Sequence, residues 1–462
     1  MTLLEAHRRR LDQVQPLGIA GQVNCASGLT VSVSDFPAPI GAACAIASAG
    51  GQIAGRVIGL GEHGTVVMPL GSMSGIARGD RVELVSSVQE VAVGPAMLGR
   101  VLDGLGRPID GLGPMPTQAS VPLWPAPLAA MQRRRIDTPL STGVRVIDSL
   151  LTVARGQRMG IFSGSGVGKS VLMGMISRYT AADVCVIALI GERGREVREF
   201  VEKDLGPAGL KRSVVVAATG DEPPLVRVQA GAAATAICEY FRDRGCNVLL
   251  LMDSLTRLGW AQRQIGLVSG EPPASKGYTP SVFNLLPQLL ERAGCTDKGS
   301  ITGFYTVLLE GDDLNEPVAD AARAVTDGHI YLSREMANRG HYPAVDVLRS
   351  VSRVMSDVVD GEHRQAARDI HRLIALYSEI EDLVTIGAYQ SGANVEYDLA
   401  IKSMPLINNF LAQAVGEHSG FALTCQGIKD LQRQVGMFKH AVAARSGQLG
   451  GRTVGDGQWV RS

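Results

Sequence analysis

The 462-residue chain has no run of 18 apolar residues, so no membrane-spanning helix is expected. The nearest approach, the Ala/Gly-rich stretch at 40–55, is too small-chained to sit in a bilayer. The opening MTLLEAHRRRLDQVQPLG puts its arginines after two leucines and lacks an apolar core, which is not the pattern of a secretory signal peptide. Cysteine is sparse: seven residues, scattered over positions 25 to 425 with no CxxC pair, argue against a zinc site or a disulfide framework. An excess of charge is also missing. Forty-five basic residues balance 45 acidic ones, so no overall field draws the chain to nucleic acid or to an acidic membrane. These absences point to a reduced, cytoplasmic protein.

What remains is an ordinary globular composition, 45% hydrophobic and 19% charged, on a chain long enough for two or three domains. Residues 19–93 read as short strands broken by turns. LTVSVSDF alternates at Leu29, Val31 and Val33, and GTVVMPL and DRVELVSS follow closely, which predicts a small antiparallel β-barrel or sandwich. Seven of the 22 prolines then fall between Pro95 and Pro127, marking ordered turns or a domain junction. From about Gly156 apolar runs of strand length (RMGIF, VCVIALI, SVVVAAT, NVLLLMD, ITGFYTVLLE) alternate with helix-length segments, the pattern of a buried parallel sheet with crossovers. Beyond about Asp360 the strands fade, and HRQAARDIHRLIALYSEIEDLV and KSMPLINNFLAQAV have helical spacing. The fold class is therefore α/β, with boundaries drawn at 19–93 for the barrel, 94–375 for the sheet domain and 376–462 for a C-terminal helical domain. The closing GQLGGRTVGDGQWVRS is expected to fray.

SGSGVGKS, Ser163 to Ser170, lies between the RMGIF strand and a helix. There, successive backbone N–H groups and a helix N-terminus form a cradle for phosphate, with Lys169 reaching the β- and γ-phosphates and Ser170 holding Mg²⁺. Ser163 stands where the strict phosphate-loop pattern has glycine. Its place at the end of a strand tolerates a small side chain, and Gly164, Gly166 and Gly168 still let the backbone approach the ligand. The chain is read as binding ATP. Hydrolysis also needs a metal-holding acid, a group that orients water, and positive charge for the transition state. NVLLLMD ends a strand on Asp253, at the edge beside the loop, where it would hold Mg²⁺; the plainer role is capping the next helix. VCVIALIGER brings Glu192 to the same edge, either to polarise water or to complement a helix dipole. Spacing leaves both open.

PLSTGVRVIDSLL, GQRMGIFSGSGVGKSVL, IGERGREV, MDSLTRL, SGEPPASKGYTPSVFNLLPQLLERAG, EGDDLNEPVAD, DGHIYLSRE, HYPAVD and SVSRVM follow one another in order. Together they resemble the protein-export ATPases of bacterial flagella and type III secretion systems, relatives of the rotary ATP synthase catalytic subunit. The resemblance covers about residues 18–400. It implies a central RecA-like P-loop ATPase domain in which Ser163, Gly164, Ser165, Gly166, Val167, Gly168, Lys169, Ser170 and Val171 surround the nucleotide phosphates. It also implies Glu192 as the carboxylate that activates water, Arg193 beside the γ-phosphate, and Ser170 and Asp253 on Mg²⁺. Tyr342 would pack on the adenine, although a tyrosine before a proline is often only structural. Arg353 would be the arginine finger that reaches a neighbouring copy's nucleotide; a lone arginine is more often solvated or ion-paired. With both kinds of residue in one chain, identical copies can complete one another, which predicts a homohexamer.

The same resemblance implies partners. Residues 1–18 would contact a regulator or stator protein of the export apparatus, the ring would hold a central stalk protein, and the C-terminal domain would receive chaperone–substrate complexes. Hydrolysis would unload chaperones and help substrates into an export gate, with the ATPase peripherally associated with the inner membrane. Three other uses of this core make different demands on the sequence. A rotary synthase subunit should carry an acidic C-terminal lever like DELSEED, which is lacking. An RNA translocase should carry a basic, aromatic N-terminal domain, whereas here Arg56, Arg78 and Arg81 face five acids, and Phe36 is the only aromatic. No nucleic-acid partner is therefore expected. A scaffold that only binds ATP has no need of Glu192, Lys169, Asp253 and Arg353 together. Between the flagellar enzyme and its injectisome counterpart, the general likeness favours the flagellar one.

Overall fold

The computed structural model describes residues 18–449 except 63 and 314, with side chains to residue 438 except that of 312. Of the expected partner-binding segment 1–18, residues 1–17 lie outside the described residues. The tail expected to fray, 447–462, is corrected at its start, because 447–449 close the final helix; residues 450–462 lie outside the described residues.

Six strands, β1 (Ala20–Ser27), β2 (Thr30–Ser34), β3 (Ala43–Ser48), β4 (Gly51–Gly61), β5 (Gly64–Pro69) and β6 (Arg81–Ser86), close a barrel in the order β1-β2-β5-β4-β3-β6. Neighbours are antiparallel, and Val31, Val33, Ile46, Val57, Val67 and Val82 fill the interior. The alternation expected from the sequence holds at Val31 and Val33, both buried in β2. Leu29 is a correction: it is exposed, because Gly28 (φ 58°) turns the chain just before β2 begins.

The Gly/Pro-rich passage is mostly turns, held by Asp110, which accepts from Arg100 Nε at 2.7 Å and from the Val101 N–H at 3.0 Å. The hydrogen bond from Arg100 holds the Asp110 carboxyl well below the usual carboxylate range. The passage also contains a strand. After β7 (Glu90–Val93), β8 (Val101–Asp103) joins the edge of the large sheet, and β9 (Ala119–Pro122) pairs with β7.

The large sheet is built from β10 (Arg158–Ser163), β11 (Val184–Ile190), β12 (Ser213–Ala218), β13 (Asn247–Asp253), β14 (Gly294–Cys295), β15 (Ser300–Leu308), β16 (Gly328–Leu332) and β17 (Val345–Ser352). Its order is β17-β16-β10-β15-β13-β11-β12-β8, with β14 on β15, and only the β16–β17 and β14–β15 pairs are antiparallel. Both faces are covered, which is why β11 and β12 are buried at every position and read as unbroken apolar runs. Three helices follow, Gly361–Thr385, Val395–Leu411 and Phe421–Leu449. Position 375, drawn as a boundary, falls inside the first of them, because the helical pattern runs unbroken through it. Buried His363 ties this helix to the sheet domain through a 2.7 Å contact between Nε2 and the Ser149 carbonyl. Among the described residues no helix is long and apolar enough to cross a membrane.

Candidate active site

A parallel sheet delivers the ends of its strands to one edge, and that edge holds the candidate chemistry. β10 ends at Ser163, the loop follows, and the helix Lys169–Tyr179 starts at once. Gly166 (φ 79°) and Gly168 (φ 94°) take left-handed conformations that side chains resist. Ser163 is wholly buried, and its Oγ has no hydrogen-bond partner. The serine is accommodated in the place of the missing glycine without doing any bonding there.

β13 ends on Asp253, whose register partner on β11 is Leu189, so Glu192, just past the end of β11, reaches the same place. Asp253 does not cap the following helix. Ser254 does, accepting from the Arg257 N–H at 3.3 Å. The Asp253 carboxylate instead takes Lys169 Nζ and, at 2.6 Å, the Thr306 hydroxyl of β15. Glu192, 8% exposed, lies 3.5 Å from Lys169 Nζ and 2.7 Å from Arg257 Nη1. Burial pushes its carboxyl up to about 7, aided by the Asp253 charge and a hydrogen bond with Glu196, against the pull of Lys169 and Arg257. A buried carboxyl that titrates near neutrality, beside a phosphate loop, is suited to taking a proton from water.

Other residues singled out in the sequence stand apart from this cluster. Arg193 turns outward, with its side chain 83% exposed, and pairs with Glu196 at 2.8 Å. Ser170 and Val171 are exposed in the first turn of the loop helix. Tyr342 is half-exposed over the loop: a Cβ placed on Gly168 would lie 3.6 Å from its ring. Together Gly166, Val171, Met175, Leu332, Tyr342 and Val415 line a cavity of about 370 Å³, mostly apolar, as a purine ring requires. Arg353 is exposed at the opposite edge of the sheet. Its N–H donates to the Asp327 carbonyl, and the Asp327 N–H donates to Arg158 at the start of β10. The length of β10, roughly 17 Å at about 3.3 Å per residue, therefore separates it from its own phosphate loop.

Three contributors were not singled out in the sequence: Arg257, Thr306, and the Gln413–Val415 wall of the cavity. Arg257 follows Asp253 by four residues and Thr306 is a polar residue in an apolar strand, so both left a trace. Gln413 did not; only folding brings its N–H to the Tyr342 carbonyl, 3.0 Å away. Among the described residues no group of three or more His, Cys, Asp or Glu could hold a metal by itself. The Ser170 hydroxyl and the Asp253 carboxylate are hard oxygen donors that fit Mg²⁺, an ion that keeps waters and takes substrate phosphate as further ligands.

Residues 143–352 match the nucleotide-binding domain of the ATP synthase alpha/beta family, residues 25–85 its beta-barrel domain, and residues 359–430 the C-terminal domain of the T3SS EscN ATPase. The chain is 49% identical to the flagellum-specific ATP synthase of Pseudomonas aeruginosa, over 88% of this chain and 92% of that protein. It is 48% identical to the type 3 secretion system ATPase of Xanthomonas euvesicatoria, again over 88% and 92%. The structure of the assembled ATPase EscN from enteropathogenic E. coli matches with a TM-score of 0.85 and 44% identity, covering 89% of this chain and all of that one. A second EscN structure, in complex with its central stalk EscO, matches with a TM-score of 0.83 at 43% identity.

Proposed function

Because the chain belongs to the family of flagellar and type III secretion export ATPases, enzymes that hydrolyse ATP, we propose that it drives protein export in a flagellar apparatus by Mg²⁺-dependent hydrolysis. One observation carries the chemistry: buried Glu192 stands between Lys169 and Arg257 at the edge where the phosphate loop begins. Lys169 and the loop N–H groups bind the phosphates, Ser170 and Asp253 hold Mg²⁺, which neutralises phosphate charge, and Tyr342 packs on the base. Glu192 draws the proton from the attacking water. Lys169, now paired with both carboxylates, exchanges part of that pairing for phosphate oxygens. Arg193 stands at the rim, where the γ-phosphate competes with Glu196 for it.

The distance between Arg353 and its own loop supports a ring. An arginine at the far edge of the sheet can serve the next copy's nucleotide and not its own, so we read the active form as a homohexamer around a central stalk. Specific activity should then rise with protein concentration; a flat curve from a monomer would sink the idea. Residues 1–18 are read as the contact for a regulator or stator protein, and the three final helices as the place where chaperone–substrate complexes dock before entry into a membrane gate. The enzyme would sit in the cytoplasm against the inner membrane. We keep three working units: barrel, sheet domain and helical domain.

The experiment is a clean deletion in the source bacterium, rescued by wild type or by Lys169→Ala. Lost filaments and swimming, with other secretion intact and rescue by wild type alone, are expected. Normal swimming with lost effector secretion would instead assign the chain to an injectisome, the second reading, favoured by the match to EscN. No change in either would remove the export reading and return the rotary synthase.

A further inference from the structure

One concentration of charge is not used by the ATP chemistry above. A cavity of about 320 Å³ is lined by Ser352, Ser356, Arg364, Arg368, His371 and Arg372, and no acidic side chain lines it. The four basic residues follow at intervals of four, three and one, and so share one face of the helix Gly361–Thr385. Like charges four residues apart destabilise a helix, and cations belong near its C-terminal end, whereas these lie in its N-terminal half. Arg372 is relieved by Glu396 at 2.5 Å. The side chains of Arg364 and Arg368 have no hydrogen-bond or ion-pair partner among the described residues, and the Arg364 Nε is buried without an acceptor. An arrangement that raises the energy of the free protein in this way is relieved by an anion.

Guanidinium groups present flat forks of donors that fit phosphate oxygens in pairs. The cavity is larger than a single phosphate needs. It opens beside Ser352, at the end of β17, on the edge of the sheet away from the phosphate loop. We propose that this cavity is a second anion site, which binds a polyphosphate through Arg364, Arg368, His371 and Arg372. Two sources share that chemistry: a free small polyphosphate, or the phosphates of a nucleotide held by a neighbouring copy. The second source rests on the ring reading, since Arg353 lies next to Ser352.

The test titrates inorganic pyrophosphate calorimetrically into the full chain, with its phosphate loop disabled by Lys169→Ala. One site per chain is expected, weakened roughly ten- to a hundredfold for each guanidinium removed by adding Arg364→Ala or Arg368→Ala. That result assigns a free ligand, and it requires no ring. If the Lys169→Ala protein binds no pyrophosphate, ATP affinity is compared in assembled wild type and assembled Arg364→Ala/Arg368→Ala. A loss there, absent from the monomers, assigns the neighbour's nucleotide. Unchanged affinities in both arms overturn the proposal. Arg368→Glu, on an exposed side chain, guards against misfolding: it should melt like wild type and still lose the second site, and a second site unaffected by that charge reversal also overturns the proposal.

Discussion

Glu192 carries a testable pH signature. Its carboxyl, pushed up to about 7, must be ionised to accept a proton, so kcat/KM should fall roughly tenfold per pH unit below about 7 and level off above it. Glu192→Gln should lose about a hundred- to ten-thousandfold in rate and flatten that limb, while ATP binding, followed by a fluorescent analogue, stays close to wild type. A slope that persists in the variant would assign the titration to another group. Thr306 sits 1% exposed behind the Asp253 carboxylate, which we propose holds Mg²⁺, and donates to it at 2.6 Å. Thr306→Val keeps the shape and removes that hydrogen bond, and should raise the Mg²⁺ concentration for half-maximal nucleotide binding roughly tenfold. Thr306→Ser should restore it; equal behaviour of the two variants would reduce Thr306 to packing.

At the scale of elements, the strand–loop–helix unit was legible because each part has its own signature: an apolar run, glycines at positive φ, and a helix that starts without a break. The alignment of Asp253 and Glu192 was legible for a similar reason, since parallel strands place their ends on one edge. Local competition was less visible. Arg193 caps the helix Gly194–Glu199 and is drawn outward by Glu196, within three residues of the cluster it was expected to join. β8 hides among turns because three residues are too few to show a period, and its partner lies more than a hundred residues away. The serine in the loop makes a prediction of its own. Ser163→Ala removes a buried hydroxyl that bonds nothing, so it should leave ATP affinity unchanged and stabilise the fold by up to about 1 kcal/mol, seen as a higher Tm. A loss of affinity would reveal a bond made only with nucleotide present.

For the whole molecule, the proposed ring gives the two edges of the sheet to two different nucleotides, so a subunit alone would lack a finger. Arg353→Ala should retain nucleotide binding and lose about a thousand- to hundred-thousandfold in turnover. Lys169→Ala should be inactive for a different reason. Mixing these two dead proteins under assembling conditions should recover measurable phosphate release, because a finger from one copy meets an intact loop in the other. Persistent inactivity in proven mixed rings would place the finger elsewhere. The wall that Gln413–Val415 add to the cavity over the phosphate loop has a mechanical consequence. A jaw with one side on the phosphate-loop helix and the other at the root of the final helices is built like a caliper: a base held between its sides would set the angle at which those helices stand. A protein resting on the helices alone would then feel each load and release of ATP as a tilt underfoot.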